Sequence, residues 1–218
     1  MVSSQLEYKM KYDRFTSEYV DHCFMFLLKG HTLNEEEIFV DTLRSEFGFN
    51  KKGYMCCSIL FDFKKPFYRD IQDTERVGIL SGIKRIVWSV MQEQVPVYLL
   101  EYRQNLYVCI INVDHEREDA PLSRAFDKML QIFEYDMNNY YDMTIGKGTF
   151  STHIHHIRQS FDEAMTAINR RNREERFQIV DAVQLAIDNR FYYSFFDEQK
   201  ILNTLKAGDY PGLVKVLD

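Results

Sequence analysis

The order of apolar and polar positions changes period several times along the chain, and each change marks an element. Tyr8, Tyr12, Phe15, Tyr19, His22 and Phe26 recur at alternating spacings of four and three with no proline among them. That spacing predicts one long N-terminal helix carrying an aromatic seam with a repeat of 3.5 residues. Such a seam has two uses: it packs on its own domain, or it meets the same seam of a second copy. The stretch of aromatic positions is shorter than the three or four heptads that mark an established coiled coil. Gly30 is expected to stop the helix, and Thr32 followed by Glu35 has the spacing of a capping box opening a second helix through about Phe47.

From Gly53 to Phe63 the chain is nearly all apolar or small, bounded by Gly53 and Pro66, which predicts a central strand buried on both faces. Val77, Leu80, Ile83, Ile86, Val87, Val90 and Met91 then follow helical spacing and predict an amphipathic helix of about twenty residues. Two β-like runs, Val97 to Glu101 and Leu106 to Val113, flank the polar Tyr102-Arg103-Gln104-Asn105 and predict a hairpin. A further helix is expected after Pro121, on Leu122, Phe126, Met129, Leu130 and Phe133. A short strand from Tyr141 to Ile145 should end at Gly146 and Gly148. Ile157, Phe161, Ala164, Met165 and Ile168 predict the next helix, Phe177 to Val180 an edge strand, and Asp197 to Lys206 and Leu213 to Leu217 two closing helices. This order makes an α/β protein, an α+β sandwich with helices on a mixed sheet.

Composition narrows the class of function. The chain has 218 residues with a formal net charge of −6, so it lacks the excess of basic residues that nucleic-acid binding normally draws on, and this piece by itself is expected to bind no nucleic acid. The basic stretch from Arg170 to Arg176 also holds Glu174 and Glu175 and is expected to be a solvated helix end. Cys23, Cys56, Cys57 and Cys109 sit in apolar runs, not at disulfide or metal-site spacing, which predicts reduced core thiols in a cytoplasmic protein. The apolar run from Cys23 to Leu28 is far too short to cross a bilayer, so no membrane partner is expected.

Local signatures resemble the diguanylate-cyclase (GGDEF) fold, in the right order, over roughly residues 50 to 180. Ile59-Leu60-Phe61-Asp62-Phe63-Lys64 is similar to that family's first strand, in which Asp62 would take the metal-binding position. Met143-Thr144-Ile145-Gly146 is similar to its late T-I-G strand, and Ser160-Phe161-Asp162-Glu163-Ala164 with Asn169 to the helix that follows. The resemblance implies a nucleotidyl-cyclase-like mixed sheet flanked by helices. Where the family has Gly-Gly-Asp/Glu-Glu-Phe, however, this chain has Arg103-Gln104-Asn105-Leu106-Tyr107. The glycines let backbone approach the nucleotide, and the acidic residues help hold the metal ions of phosphoryl transfer. Arg103 and Gln104 obstruct that approach, and Leu106 cannot ligate a metal. A lone Asp62 is a poor magnesium site. Asp62 and the five turn residues are therefore degenerate positions, and no enzyme activity and no cofactor are expected. The product-binding R-x-x-D box is also missing, since Gln94-Val95-Pro96-Val97 stands before the turn.

The chain resembles still more closely the degenerate GGDEF-like domain in the middle of AraC-type transcription regulators, including two-component response regulators with an N-terminal receiver. Leu27-Leu28-Lys29-Gly30, the acidic Asn34-Glu35-Glu36-Glu37, the aromatic run Phe191 to Phe196 and Leu205-Lys206-Ala207-Gly208-Asp209 carry this similarity. It implies N-terminal signalling helices over 1–48, a GGDEF-like domain over 49–180 and a helical linker over 181–218. Expected partners are an upstream receiver, a downstream helix-turn-helix domain, and a second copy joined through the N-terminal helix. The resemblance leaves open whether Met1 is the native start. It also leaves a competing use, a sensor holding a nucleotide or other small molecule in the GGDEF-like cleft without turnover.

Other constellations are weaker. His153, His155 and His156 are the densest group of potential ligands, but no cysteine or carboxylate lies in the same short stretch, so an exposed connection and no metal are expected. His22 is expected to belong to the helix seam, and Trp88 to the core. No G-x-S-x-G or G-x-x-x-x-G-K-[ST] sequence supports hydrolase or P-loop chemistry.

Overall fold

A computed structural model describes residues 2–114, 119–137, 139–185 and 204, with only the backbone described for 2–14, 119, 136–137 and 184–185. The helices expected at 197–206 and 213–217, and the aromatic run before them, lie outside these residues apart from Thr204. The chain runs through α1 (Val2–Leu28), α2 (Glu36–Phe47), β1 (Gly53–Phe63), α3 (Lys65–Asp70), α4 (Asp73–Gln92), β2 (Val97–Arg103), β3 (Leu106–Val113) and α5 (Asp119–Met137). It continues through β4 (Tyr141–Ser151), a 3₁₀ turn at Ile154–His156, α6 (Ile157–Asn169), β5 (Phe177–Asp181) and α7 (Ala182–Leu185). The five strands form one mixed sheet in the order β2-β3-β1-β4-β5, antiparallel except for the β4–β5 pair. The α/β reading and the central place of β1 hold.

Because β1 lies in the middle, its alternating side chains feed two separate cores. Met55, Cys57, Ile59 and Phe61 join Val87 and Met91 of α4 and Phe126 and Phe133 of α5 on one face. Tyr54 and Cys56 join Phe24 and Leu27 of α1, Phe39 and Leu43 of α2 and Phe161 of α6 on the other. The adjacent thiols Cys56 and Cys57 therefore point to opposite faces, both fully buried, and burial pushes both well above the usual thiol range. All four cysteines are free and buried. At the start of β1, Asn112 of β3 clasps the incoming chain: its amide accepts from Lys51 N–H and donates to the carbonyls of Lys51 and Gly53.

Several expectations need correction. The predicted capping box does not form; α2 begins at Glu36 after Glu35, which caps nothing with its side chain. Its place is taken by a tight stop to α1, in which Gly30 at φ 87° lets Gly30 N–H reach Leu27 O and His31 N–H reach Phe26 O. Leu33, between the two helices, packs half-buried against the core. The hairpin strand β2 runs on to Arg103, leaving only Gln104 and Asn105 as loop. Trp88 is not core; it is 47% exposed on the outer face of α4.

The side chains of Tyr8 and Tyr12 lie outside those described, and from Phe15 on the aromatic seam covers its own domain only in part. The buried face of α1 is Val20, Cys23, Phe24, Leu27 and Leu28, one residue round from the seam. Tyr19 leans edge-on against Phe39, but Phe15 is 72% exposed, and His22 and Phe26 also lie at the surface. A spacing of three and one gathers Val20, Cys23, Phe24, Leu27 and Leu28 over the sheet and leaves Phe15, His22 and Phe26 outward.

Gly146 and Gly148 do not end β4, which continues to Ser151. Their role is close approach: a Cβ on Gly146 would collide with Ala164 O, and one on Gly148 with Ser160 O, so both glycines let α6 lie directly on the strand. The same contact repairs a register shift between β1 and β4 at Met55–Cys57. There Cys56 N–H donates to Ser160 Oγ at 2.8 Å, and Ser160 Oγ donates to Thr149 O at 2.6 Å. Replacing Gly146 or Gly148 with alanine is expected to cost about 1–3 kcal/mol through overpacking against helix backbone. Gly78→Ala, in the exposed part of α4 with open space beside it, is expected to stabilise by about 0.5–1 kcal/mol. Chemical denaturation of the three variants checks both signs.

Candidate functional site

The C-terminal end of β1, α3, the first turns of α4 and the β2–β3 turn surround a cleft of about 470 Å³. Pro66 sits in the first turn of α3, where its missing N–H costs nothing. The short helix then brings Phe67 into a stack on Phe63 at 4.2 Å and places Tyr68 at the rim, 60% exposed. Asp73, Arg76, Val77 and Leu80 of α4 form the opposite wall, and Gln104 and Asn105 form the lip.

The cleft's cation is already occupied. Arg76 Nη1 donates to Tyr68 O at 2.7 Å and Ile71 O at 2.8 Å, its Nη2 pairs with Asp73, and the guanidinium lies 5.9 Å from the Tyr68 ring centroid. These contacts bind the α3–α4 corner together and neutralise the one carboxylate of the lining. The lip is held as well: Asn105 O accepts from Phe61 N–H at 2.9 Å, and Asn105 Nδ2 donates to Phe61 O at 3.3 Å.

Among the degenerate positions singled out from the sequence, Gln104 and Asn105 line the cleft. The others turn elsewhere. Arg103 lies over the Tyr102 ring, and Leu106 is buried in the core under α1 and α6. Tyr107 is buried in the opposite core beside Phe61. Its hydroxyl reaches Leu80 O at 3.4 Å, and burial, with Glu101 nearby, pushes the phenol up to about 12. Asp62 does not line the cleft; its carboxylate pairs with Arg171 at 3.1 Å. Across the ladder from it, Asp142 takes Lys64 at 2.6 Å and Arg176 at 2.9 Å. Three cations of the chain itself therefore serve the two carboxylates at this end of the sheet.

The sequence reading missed Phe63, Phe67, Tyr68, Asp73 and Arg76. Their signal was the aromatic run around Pro66 followed by an acidic helix start, visible only once α3 is known to fold back. The histidines form a tight exposed group, with His155 and His156 ring centroids 4.4 Å apart and His155 Nδ1 3.7 Å from Glu36. Among the described residues, no group of three or more His, Cys, Asp or Glu is arranged to hold a metal ion. No described helix is long and apolar enough to cross a membrane.

Compared with known protein families, residues 29–169 match the GGDEF-like domain, from the end of α1 to the end of α6 and so over more than half of the chain. No curated protein matches the chain.

Arg76→Met removes the donors that hold the α3–α4 corner and leaves two carbonyls and Asp73 without them. The expected cost is about 1–3 kcal/mol, with faster amide exchange confined to residues 65–76. Hydrogen exchange read by mass spectrometry tests this, and uniform exchange across the domain would contradict the local role.

Proposed function

The chain belongs to the GGDEF-like domain family, and on that footing we propose that it is a degenerate, non-catalytic signal-transmission domain of a bacterial AraC-type transcription regulator of the two-component response-regulator kind. The observation that carries the reading is the closure of the cleft by internal partners. Arg76 is spent on Tyr68 O, Ile71 O and Asp73, the turn offers the amides of Gln104 and Asn105 where carboxylates would be needed, and Asp62 is paired to Arg171. Phosphoryl transfer needs metal ions and cationic groups free to meet developing charge. The lining of this cleft has one carboxylate, Asp73, with which to hold such ions, and its guanidinium is already engaged.

The α1 seat supports a transmitting role. Its last turns are packed into the core, and Tyr98 on edge strand β2 donates to Asp21 Oδ1 at 2.7 Å and lies 3.1 Å from Ser17 O. A change arriving along α1 therefore bears directly on the sheet. The outward aromatic face, with Phe15 and Phe26 exposed, is the surface on which a second copy would pair in a homodimer, and paired α1 helices would carry receivers upstream and set helix-turn-helix domains downstream. A second reading, a small-molecule sensor, is favoured only by the unoccupied Gln104 amide and exposed Tyr68 in the cleft.

Incubated with GTP and magnesium, the protein is expected to form no cyclic-di-GMP, and GTP or cyclic-di-GMP in large excess to leave its melting temperature unchanged. Product above a boiled control refutes the non-catalytic reading. A melting temperature that rises with ligand concentration selects the sensor.

Phe15→Glu puts like charges opposite each other in a parallel pair without disturbing a buried side chain. The expected result in analytical ultracentrifugation is a dimeric wild type and a folded, monomeric variant. A wild type monomeric at high concentration refutes pairing through α1.

A further inference from the structure

One position of the outward α1 seam titrates near neutral pH: His22, exposed between Tyr19 and Phe26. Its imidazole lies nearly parallel to the Phe26 ring, with centroids 6.2 Å apart, and His31, just past the end of α1, stacks on Phe26 at 4.4 Å. Two surface imidazoles therefore share one phenyl ring, which is 36% exposed. Beside them runs a groove of about 360 Å³ between α1 and the chain leading to α2, with Tyr19, His22, Phe26, Leu33 and Glu35 in its lining. The domain's core is closed without this surface, because α1 turns Val20, Cys23, Phe24, Leu27 and Leu28 inward.

Heptad spacing fixes what a second copy brings to this surface. Tyr12, Tyr19 and Phe26 share one seam position and Tyr8, Phe15 and His22 the other, so a parallel pair sets each residue against its own counterpart. His22 then meets the partner's His22. Two neutral imidazoles suit that contact, since one ring can donate and the other accept a hydrogen bond. Two imidazolium ions repel each other across it. The charged groups around His22 in its own chain are the same with or without a partner. On α1, Glu18 stands one turn before it, Lys29 lies two turns on, and Asp21 is held by the Tyr98 hydroxyl of β2. The connection to α2 brings His31 beyond Phe26 and Glu35 across the groove. Glu36, opening α2, lies 3.7 Å from His155, and Arg158 of α6 reaches Lys29 O at 3.4 Å. Association adds only the second imidazole, so pairing favours the neutral ring.

We propose that His22 makes the pairing of two copies through α1 a proton-controlled switch, closed when the imidazole is neutral and opened when it is protonated. This rests on the pairing of α1 proposed above and adds its regulation. A group that the dimer holds neutral supports pairing above the ordinary imidazole range, and that support is lost as pH falls through it. Opening separates the helices along the seam while Phe24 and Leu27 stay buried in each domain, so each copy remains folded.

Sedimentation equilibrium of the whole chain at about pH 7.5 and about pH 5.5, on either side of the imidazole range, tests it. The dimer dissociation constant of the wild type should rise by about tenfold or more at the lower pH, with the circular dichroism spectrum unchanged. His22→Phe and His22→Gln, neither of which titrates, should dimerise alike at both pH values, and His31→Gln should keep the wild-type dependence. A wild type that pairs equally at both pH values overturns the switch and leaves the pairing in place. A wild type that is monomeric at the higher pH refutes the pairing, and the switch with it. The switch is also overturned by a pH dependence that survives both His22 substitutions or vanishes in His31→Gln, and by dissociation that occurs only with loss of helix.

Discussion

Residues 53–59 of β1 are buried without a break, so every side chain there needs an apolar neighbour above or below the sheet. A strand in that position can exist only if two layers of helix close over it. One layer is α4 with α5; the other is α1, α2 and α6. The second layer comes closest, because Gly146 and Gly148 remove the side chains that would hold α6 away from β4. Close approach exposes α6 backbone and the Ser160 hydroxyl to the strands, and Ser160 then supplies the partner that the register shift in β1 withholds from Cys56 N–H. A buried amide without a partner would cost on the order of 1–3 kcal/mol. Helix packing and strand irregularity are thus one device.

Much of this was legible in the sequence, for a physical reason. β1 was bounded correctly because a strand wet on neither side has no polar alternation to confuse it, and the length of α4 was legible because its apolar positions keep helical spacing over about four turns. What failed had a different cause in each place. Glycine in a strand looks like a terminator, and only the neighbouring helix reveals that Gly146 and Gly148 are there for contact. Thr32 and Glu35 have capping-box spacing, but the backbone around them is spent on joining α1 to α2. In α1 two stripes competed, and periodicity alone ranked the mostly aromatic seam above Val20, Cys23, Phe24, Leu27 and Leu28. Of the site, the turn residues could be found from sequence, but Arg76 could not, since its partners are backbone carbonyls and a corner no motif describes.

The end of the sheet that carries Asp62 and Asp142 follows a consistent rule: charge is met by charge from the same chain. Lys64, Arg171 and Arg176 crowd the two carboxylates, as Arg76 crowds Asp73. Such pairs at a partly wet surface contribute little to stability. Their effect is chemical, because a carboxylate that already has a guanidinium beside it has less to offer a divalent cation, and a guanidinium bound to carbonyls has less to offer a phosphate.

α1 has 27 residues, yet its buried side chains, among those described, begin only at Val20. At 1.5 Å per residue the backbone of α1 extends about 27 Å ahead of Val20. Its fulcrum is the Tyr98 hydroxyl, held between Asp21 and Ser17 on the sheet's edge strand. With such an arm, a tilt of about ten degrees at the fulcrum sweeps the far end through about 5 Å. Ångström-scale adjustments in the packing beneath Phe24 and Leu27 are thereby geared to displacements comparable with one helical turn.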